Sequence, residues 1–358
     1  MKMGREAETG VELVANLHAH TPYSDGEWHR QRIAEAAARA GVDVLVVTDH
    51  NVYVRGADRF VGRVLVLAGE EVHDPTRQPQ ASHCLIYEAR EELAPLAAKP
   101  QALIDAANAR GGMAFLAHPF EVASPLTFDL LAIPWADWEV RRFAGIELWN
   151  AMSDFKARAR SWPLAVFYAF FPSWALRGPF PQTLRKWDEL LTSGEKVVAI
   201  GNSDAHGTVF HVGPIQRAVL GYEVLFRSVN THLLLPRPLT GDVEADRQAV
   251  FAALRAGRCF IGYDRPASTR GFRFTAQSGA QVAGMGETLT RSGVTTLRIT
   301  APRRARLRLL RNGACIAQRT GDTLEHLALE PGSYRAEAWL DYRLARRPWV
   351  FSNPITVR

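Results

Sequence analysis

Cysteine is scarce in this sequence of 358 residues, which contains only Cys84, Cys259 and Cys315. Three scattered cysteines are too few for a disulfide framework or for a cysteine-based zinc cluster. The fold must therefore depend on a hydrophobic core. With 47% hydrophobic and 22% charged residues, the chain has the composition of a globular protein rather than that of a disordered one.

Long apolar runs are absent as well. The longest, residues 162–176, is too short to span a bilayer and is interrupted by Pro163 and Pro172. Residues 1–12 are polar and show no apolar core of a signal peptide. We therefore expect a soluble, cytoplasmic protein.

Acidic residues are scarce after residue 257, where the sequence has seven of them, 17 arginines and no lysine. The whole chain has a net charge of +6, so its positive charge lies in this C-terminal part. Such an excess either attracts an anionic partner, including nucleic acid, or forms a solvated surface. We favour the solvated surface, because arginine is preferred to lysine throughout and no aromatic-plus-basic strand motif of nucleic-acid-binding domains is present.

Two patterns divide the chain. Up to about residue 257, apolar runs such as residues 42–48 alternate with helical patterns such as residues 30–40. This alternation predicts an α/β fold with a parallel sheet, either a barrel or a doubly wound sheet. Residues 134–177 are irregular and aromatic, and we interpret them as an insertion over one end of the sheet. Within it, residues 162–171 are expected to form a helix buried on the sheet, or alternatively to line a pocket for an aromatic leaving group.

After residue 257, short β-prone segments are separated by glycine, proline and asparagine, which is typical of a small antiparallel β-sandwich. Asn312-Gly313 is a hairpin signal within this part. We place the boundary at about residue 263, so the predicted domains are residues 1–262 and residues 263–358.

Histidine and carboxylate residues stand at strand ends in the first domain. His18 and His20 end an extended run, and because residues i and i+2 of a strand share a face, both imidazoles can converge on one ion. The turn that follows carries Asp25, and carboxylate with imidazole suits zinc, manganese or iron. Asp49 and His50 end the most apolar run, where the ligand sites of parallel α/β folds lie.

The same pattern returns at the ends of later apolar runs. Its further members are Glu70, Glu71, His83, His118, Glu147, Asn150, Asp204 and His206. Each alone fits a packed core residue. Together they indicate a metal cluster, because one ion satisfies several buried polar groups at once.

The motifs of the first domain resemble those of the PHP (polymerase and histidinol phosphatase) superfamily. In chain order they are HxH, SDG, TDHN, GxE, a separate histidine, AHP and SDAH. GEEV before SHCLIY, IELWN and ALRAGRCFIG are similar to its CehA/McbA-like metallohydrolase branch. The resemblance covers roughly residues 14–262, and a following β-domain is also typical of that branch. It implies a distorted (β/α)7-type barrel of parallel-type strands with a metal site at the strand C-termini.

The resemblance also implies two or three divalent ions, Mn, Fe or Zn, with the carboxylate of Glu71 as a bridge between the first and the second. Glu71 is chosen over Glu70 because the motif has one residue between glycine and glutamate. Asp25 stands where many members have histidine. The implied ligands of the three positions are, in order, His18, His20, Glu71 and Asp204; Glu71, His83 and His118; and Asp25, His50 and His206.

The implied reaction is hydrolysis by a hydroxide that bridges two ions and attacks phosphorus or a carbonyl carbon. Asp25 and His206 are candidate catalytic residues, because either can protonate the leaving group if the third metal is absent. Asp49 is a further catalytic candidate that, with Asn51, orients the ligand imidazoles. The candidate substrate contacts are Asn51, Arg177 and His211.

Three functions remain open. The leading hypothesis is a phosphoesterase that acts on an anionic small molecule, either a phosphomonoester or a nucleotide-like phosphodiester. The second is hydrolysis of an aryl carbamate or ester, which the branch resemblance and the aromatic insertion favour. The third is nucleic-acid binding through the basic C-terminal domain. The ligand set does not choose between the first two, because the same metal hydroxide can attack either centre.

Overall fold

A computed structural model describes residues 10–126, 132–212, 215–218 and 220–358, without the side chains of residues 209–212 and 215–218. In the first part of the chain, strands alternate with helices, as the sequence predicts. The elements are β1 (Val11–Asn16), α1 (Arg30–Ala40), β2 (Val44–Val47), β3 (Arg59–Val61), β4 (Val64–Val72), β5 (Cys84–Tyr87), a 3-10 turn (Ala94–Leu96), α2 (Pro100–Ala109), β6 (Met113–Leu116), β7 (Gly145–Asn150), α3 (Ala151–Arg158), α4 (Trp162–Phe170), α5 (Pro172–Ala175), α6 (Pro181–Thr192), β8 (Val198–Asn202), β9 (Val209–Val212), β10 (Ile215–Ala218), α7 (Tyr222–Phe226), β11 (Val229–Leu235), α8 (Val243–Ala256) and β12 (Cys259–Tyr263).

Seven strands of this part form one continuous ladder. β1, β2 and β4 are parallel, β5 runs antiparallel to both β4 and β6, and β6, β7 and β8 are parallel again. The residues after the first and last strands also pair, through a parallel bridge between Ala19 and Ala205. The expectation of parallel strands throughout is therefore wrong for β5. Its reversed direction brings the residue that precedes it to the rim at which the parallel strands end.

The strands are buried on both faces because alternate side chains enter two separate cores. Along β2, Val44 and Val46 belong to one hydrophobic cluster, whereas Leu45 and Val47 belong to another. Helix α8 packs into the first cluster and helix α1 into the second. Burial on both sides accounts for the near-continuous apolar runs in the sequence.

Helix α4 is more exposed than the sequence suggests. It was expected to be buried on the sheet, but Trp162 is 57% exposed and Val166 is 48% exposed. Tyr168 is its buried residue.

In the part of the chain that the structure describes, no helix is both long and apolar enough to cross a membrane.

The strands of the C-terminal part pair antiparallel, except for the parallel pair β15 and β20, and they surround a core of their own that includes Phe274, Leu297 and Trp349. The strands β16 and β17 are joined at Asn312 and Gly313, as the hairpin signal predicts. These elements are β13 (Arg273–Ser278), β14 (Gln281–Gly284), β15 (Thr288–Leu289), β16 (Thr295–Arg311), β17 (Ala314–Leu327), β18 (Gly332–Tyr342), β19 (Ala345–Ser352) and β20 (Ile355–Val357).

The two parts share a sheet at the boundary expected near residue 263. Strand β12 pairs antiparallel with β11 on one side and with β19 on the other. The strand at which the first domain was expected to end therefore also contacts the second part. The division into two domains and the sandwich architecture stay predictions.

Candidate metal centre

The imidazoles and carboxylates of the predicted ligand set meet at one rim of the ladder. His18 and His20 follow β1, His50 follows β2, and the backbone of His50 bridges to Glu71 near the end of β4. Asp25 lies in the turn between β1 and α1, His118 follows β6, and Asp204 and His206 follow β8, whereas His83 precedes β5. A histidine at the start of a strand reaches the same rim because β5 is antiparallel to its neighbours.

Glu71 lies at the middle of this cluster and is almost fully buried. Its two carboxylate oxygens face different groups of imidazoles. Oε1 lies 3.0 Å from His83 Nδ1 and 3.1 Å from His118 Nε2. Oε2 lies 3.0 Å from His18 Nε2 and 3.2 Å from His20 Nε2. The carboxylate therefore stands between two sets of nitrogen atoms.

Asp204 completes the set on the Oε2 side. Its Oδ1 is 3.2 Å from His18 Nε2 and 3.2 Å from His20 Nε2. The atoms of these three residues and Glu71 lie within 4.8 Å of one another, as do those of Glu71, His83 and His118. Both groups coincide with the first and second ligand sets that the sequence motifs imply.

A third group lies toward solvent. Asp25 Oδ2 is 3.4 Å from His206 Nε2 and 3.6 Å from His50 Nε2, and Asp25 Oδ1 is 3.7 Å from His20 Nδ1. The side chain of Asp25 is 53% exposed, whereas Glu71 is 1% exposed. The structure thus brings together all nine residues expected to bind metal, with the third group as the accessible one.

The donor atoms of this cluster fit divalent cations. Ligand atoms that share one ion at about 2.1 Å lie roughly 3 Å apart, which is the spacing around Glu71. Several of them are buried without a hydrogen-bond partner: both ring nitrogens of His20, Nδ1 of His50, Nε2 of His83 and Oδ1 of Asp204. Buried polar atoms rarely remain unsatisfied, and a cation supplies the partner that each of these atoms lacks.

The charges of the cluster reinforce one another. Burial lowers the pKa of His20, but Asp204 and Glu71 outweigh burial and raise this pKa to about 9. Burial raises the pKa of the Glu71 carboxyl, but the imidazoles of His18, His50 and His83 hold it well below its usual range. Protons and cations therefore compete for the same nitrogen atoms, and cation binding releases protons.

Glu147 is a site residue that the ligand motifs do not include. Its Oε1 lies 3.0 Å from His18 Nδ1, and its Oε2 accepts a hydrogen bond from the backbone N of His118 at 3.1 Å. The amides of Asn150 and Asn202 donate to the same carboxylate. Glu147 thus orients ligands from two strands. The sequence marks it as a polar residue near the end of an apolar run, but does not indicate that it acts through His18 and His118.

Asp49 does not contact the ligand imidazoles, although it was expected to orient them. Its carboxylate accepts hydrogen bonds from the backbone N of Thr21 at 2.7 Å, from Thr21 Oγ1 at 2.8 Å and from Ser24 Oγ at 3.0 Å. Ser24 also donates to Asp25 at 3.2 Å. Asp49 therefore holds the turn that carries Asp25.

That turn also explains the glycine of the SDG motif. A Cβ on Gly26 would lie 2.3 Å from the carbonyl oxygen of His20, so no larger residue fits there without a shift of the backbone.

Asp204 and His118 adopt left-handed φ values of 56° and 28°, which are uncommon for residues other than glycine. Backbone strain at ligand positions is typical of functional sites.

The three predicted substrate contacts have different outcomes. Asn51 Oδ1 accepts a hydrogen bond from the backbone N of His73 at 3.0 Å, so this side chain holds a neighbouring loop. Arg177 is exposed, its backbone N donates to Asp154, and its guanidinium lies 3.5 Å from the Tyr168 hydroxyl. None of its described contacts joins it to the cluster. His211 lies in β9, and its side chain is outside the described part of the structure.

His73 lies beside the cluster, although its sequence context favours exposure on a loop. Its ring is stacked on that of His83, with a centroid distance of 4.2 Å, and meets the ring of His50 edge-on at 4.9 Å. His50, His73 and His83 form a further group that could hold an ion. In the sequence, His73 stands alone after a predicted strand end, and no motif around it indicates a contact with the cluster.

Several arginines of the C-terminal part are paired. Arg308 lies 2.7 Å from Glu337, Arg346 lies 3.2 Å from Asp341, and Arg335 lies 2.7 Å from Asp188 of α6. Pairing of this kind lowers the positive charge that is free to attract a polyanion.

No family model and no curated protein matches the chain. One similar solved structure is a two-domain protein from Bacteroides vulgatus that is described as containing a PHP-like metal-dependent phosphoesterase. It has 14% sequence identity and a TM-score of 0.43, and the match covers 97% of this chain and 96% of that one. Another is described as a metal-dependent phosphoesterase from Bifidobacterium adolescentis, with 13% identity, a TM-score of 0.29 and coverage of 54% of this chain and 87% of that one. Neither description names the CehA/McbA-like branch.

Proposed function

We propose that this chain is a metal-dependent hydrolase that binds two or three divalent ions and cleaves a small phosphoester. The observation that carries this proposal is the position of Glu71, whose two oxygens each face a separate group of imidazoles at 3.0–3.2 Å. A carboxylate in this position can bridge two ions, and paired ions are the basis of many phosphoester hydrolases. The resemblance of the motifs to those of the PHP superfamily is what favours a phosphomonoester or a nucleotide-like phosphodiester as substrate.

The chain's own residues account for most of the proposed chemistry. Divalent ions bound at the cluster supply an activated water and stabilise negative charge on the substrate oxygens. Glu147 orients His18 and fixes the backbone at His118. Asp49 holds the turn with Asp25, so that the accessible group lies in a constant position.

The accessible end of the cluster is the proposed place for the leaving group. His206 Nε2 lies 3.4 Å from Asp25 Oδ2, and both side chains are more exposed than the ligands around Glu71. The imidazole of His206 can hold a proton at Nε2 and pass it to a departing oxygen, with Asp25 as the group that orients the ring. If a third ion is bound by these residues, they act as its ligands instead.

Hydrolysis of an aryl carbamate or ester is the second candidate. Helix α4 exposes Trp162 and Phe167, which are 57% and 40% exposed, and it follows the β7–α3 segment that carries Glu147 and Asn150. An exposed aromatic surface close in sequence to the centre suits an aromatic leaving group.

A side-by-side hydrolysis assay tests the proposal. Metal-free protein is reconstituted with Mn²⁺, Fe²⁺ or Zn²⁺ and given p-nitrophenyl phosphate, its bis-ester and an aryl methylcarbamate, with chelator and His118→Ala as controls. We expect metal-dependent release from a phosphate ester that His118→Ala greatly lowers. Release from the carbamate alone would establish the second candidate, and release that survives the chelator would contradict both.

A further inference from the structure

His73 is the imidazole near Glu71 that the three ligand groups leave unused, among the side chains that the structure describes. It follows β4 directly and is partly buried. The backbone N of His73 donates to Asn51 Oδ1 at 3.0 Å. Asn51 itself adopts a left-handed φ of 55°, and its backbone N donates to the Glu71 carbonyl at 3.0 Å. The loop that carries His73 is therefore fixed to the strand that carries Glu71.

The ring of His73 faces two proposed ligands. It stacks on His83 with an interplanar angle of 12° and meets His50 at 90°. One nitrogen of each of the three residues comes within 4.8 Å of the others.

One nitrogen atom of each of these three rings also lacks a hydrogen-bond partner. His73 Nδ1, His83 Nε2 and His50 Nδ1 are buried without a hydrogen bond. His83 uses its other nitrogen, Nδ1, toward Glu71. The unsatisfied Nε2 of His83 is thus a second donor atom on a residue already assigned to the centre, whereas His50 Nδ1 also lies 3.2 Å from Glu71 Oε2. A cation shared by the three rings would supply the partner that these nitrogens lack.

We propose that His50, His73 and His83 form an additional cation position that takes a nitrogen-preferring ion such as Zn²⁺ or Co²⁺. The three donors of this group are imidazoles, whereas the groups around Glu71, Asp204 and Asp25 include carboxylates. Imidazole suits zinc and its neighbours, and carboxylate suits manganese. The position therefore differs from the proposed catalytic ones in the ion that it selects.

An ion at this position competes with the other ions for His50 and His83, which belong to two groups each. His83 belongs with Glu71 and His118, and His50 belongs with His20, Asp25 and His206. Zinc in excess is therefore expected to inhibit a manganese-loaded enzyme. This consequence rests on the proposed function, whereas the cation position itself does not require turnover.

Chemical modification of histidine tests the position in the wild-type protein. Diethylpyrocarbonate reacts with a free imidazole lone pair, and coordination through either nitrogen removes it. Metal-free, Mn²⁺-loaded and Zn²⁺-loaded proteins are labelled, and the labelling of His73 is read by peptide mass spectrometry. The exposed His29, which belongs to none of the ligand groups, is the internal control.

We expect Zn²⁺ to lower the labelling of His73 about tenfold relative to Mn²⁺, with His29 labelled equally in all three forms. Equal labelling of His73 in the zinc and manganese forms would overturn the inference. As a second measurement, His73→Ala is expected to raise the Zn²⁺ concentration that inhibits the manganese enzyme, while His29→Ala leaves it unchanged. Protection of His73 without hydrolysis of any phosphate ester contradicts the proposed function alone, and hydrolysis without protection contradicts this inference alone.

Discussion

Two clusters of buried histidine and carboxylate in this molecule differ in how their nitrogen atoms are partnered. At the junction of the two parts, His232 of β11 has both ring nitrogens paired, Nδ1 with Glu12 at 2.8 Å and Nε2 with Asp264 at 2.9 Å. At the rim, neither ring nitrogen of His20 has a hydrogen-bond partner. Both histidines are fully buried.

The difference separates a structural ion cluster from a ligand site. The carboxylates around His232 also accept from Arg273 and Thr269, so the charges of that network are balanced and its hydrogen bonds are made. In the rim cluster, some imidazoles do meet a carboxylate with hydrogen-bond geometry, such as His83 Nδ1 and Glu71 Oε1 at 3.0 Å. Both ring nitrogens of His20 and Oδ1 of Asp204 have no such partner, although they lie in one group of ligand atoms. Around His232, partners within the chain stabilise the buried charges. At the rim, the unpartnered ligand atoms are the ones that a bound cation would stabilise.

The largest expected effect is that of Glu71→Gln, which removes the charge at the middle of the rim cluster. We expect turnover to fall by more than about 1000-fold and bound metal to fall with it, because the carboxylate faces both groups of imidazoles. Glu70→Gln is the matched control, since Glu70 is buried on the opposite side and accepts hydrogen bonds from the backbone N of Leu93 and Ala94. Equal metal content in the two variants would contradict the assignment of Glu71.

The second effect concerns the junction. His232→Ala leaves Glu12 and Asp264 buried without their shared partner, and we expect it to lower the free energy of unfolding by about 3–5 kcal/mol. Metal content per folded chain should stay at the wild-type value. Denaturant unfolding with elemental analysis of the folded fraction gives both numbers. His118→Ala is expected to lower the metal content per folded chain with a smaller effect on the free energy of unfolding. Equal loss of metal in the two variants would contradict the distinction between the two clusters.

The third effect is smaller and tests Glu147. We expect Glu147→Gln to weaken metal binding about 10–100-fold, because the amide keeps the shape but loses the charge that orients His18. Competition with a chromophoric chelator measures this affinity. A loss as complete as that of Glu71→Gln would mean that Glu147 is itself a ligand.

The smallest effect is a dependence of stability on pH. Burial lowers the pKa of His232, but Asp264 and Glu12 outweigh it and raise the pKa to about 9. A histidine whose pKa is raised in the folded state contributes its full stability below the unfolded pKa of about 6.5 and loses it as pH rises through the folded pKa. We expect the free energy of unfolding to fall by up to about 1.4 kcal/mol per pH unit between pH 7 and 9. The slope of His232→Gln, measured on metal-loaded protein, should be flatter, and identical slopes would exclude His232 as the cause.

The rim cluster was largely predictable from the sequence because its ligands follow apolar runs. Strands that end in polar groups expose them at one edge, and the positions of His50, His118 and Asp204 follow from that rule. His83 precedes its strand, and its place at the rim depends on the antiparallel direction of β5. Strand direction is set by pairing over long distances, which no local pattern records.

Other features depend on contacts that the sequence does not state. Glu147 lies inside a buried strand, where a glutamate has no characteristic spacing to its partners His18 and His118. The carboxylate of Asp49 accepts a hydrogen bond from the backbone N of Thr21, although the next residue, His50, belongs to the cluster. The His232 network joins β1, β11 and residues near β13, so it becomes visible only once those segments are adjacent.

Anomalous diffraction from crystals soaked in Mn²⁺ or Zn²⁺ is the most direct test of the difference between the two clusters. We expect ions on both sides of Glu71, within bonding distance of His18, His20 and Asp204 on one side and of His83 and His118 on the other. We expect none beside His232. Soaked crystals that show no ion at Glu71, or that show one at His232, would contradict the account.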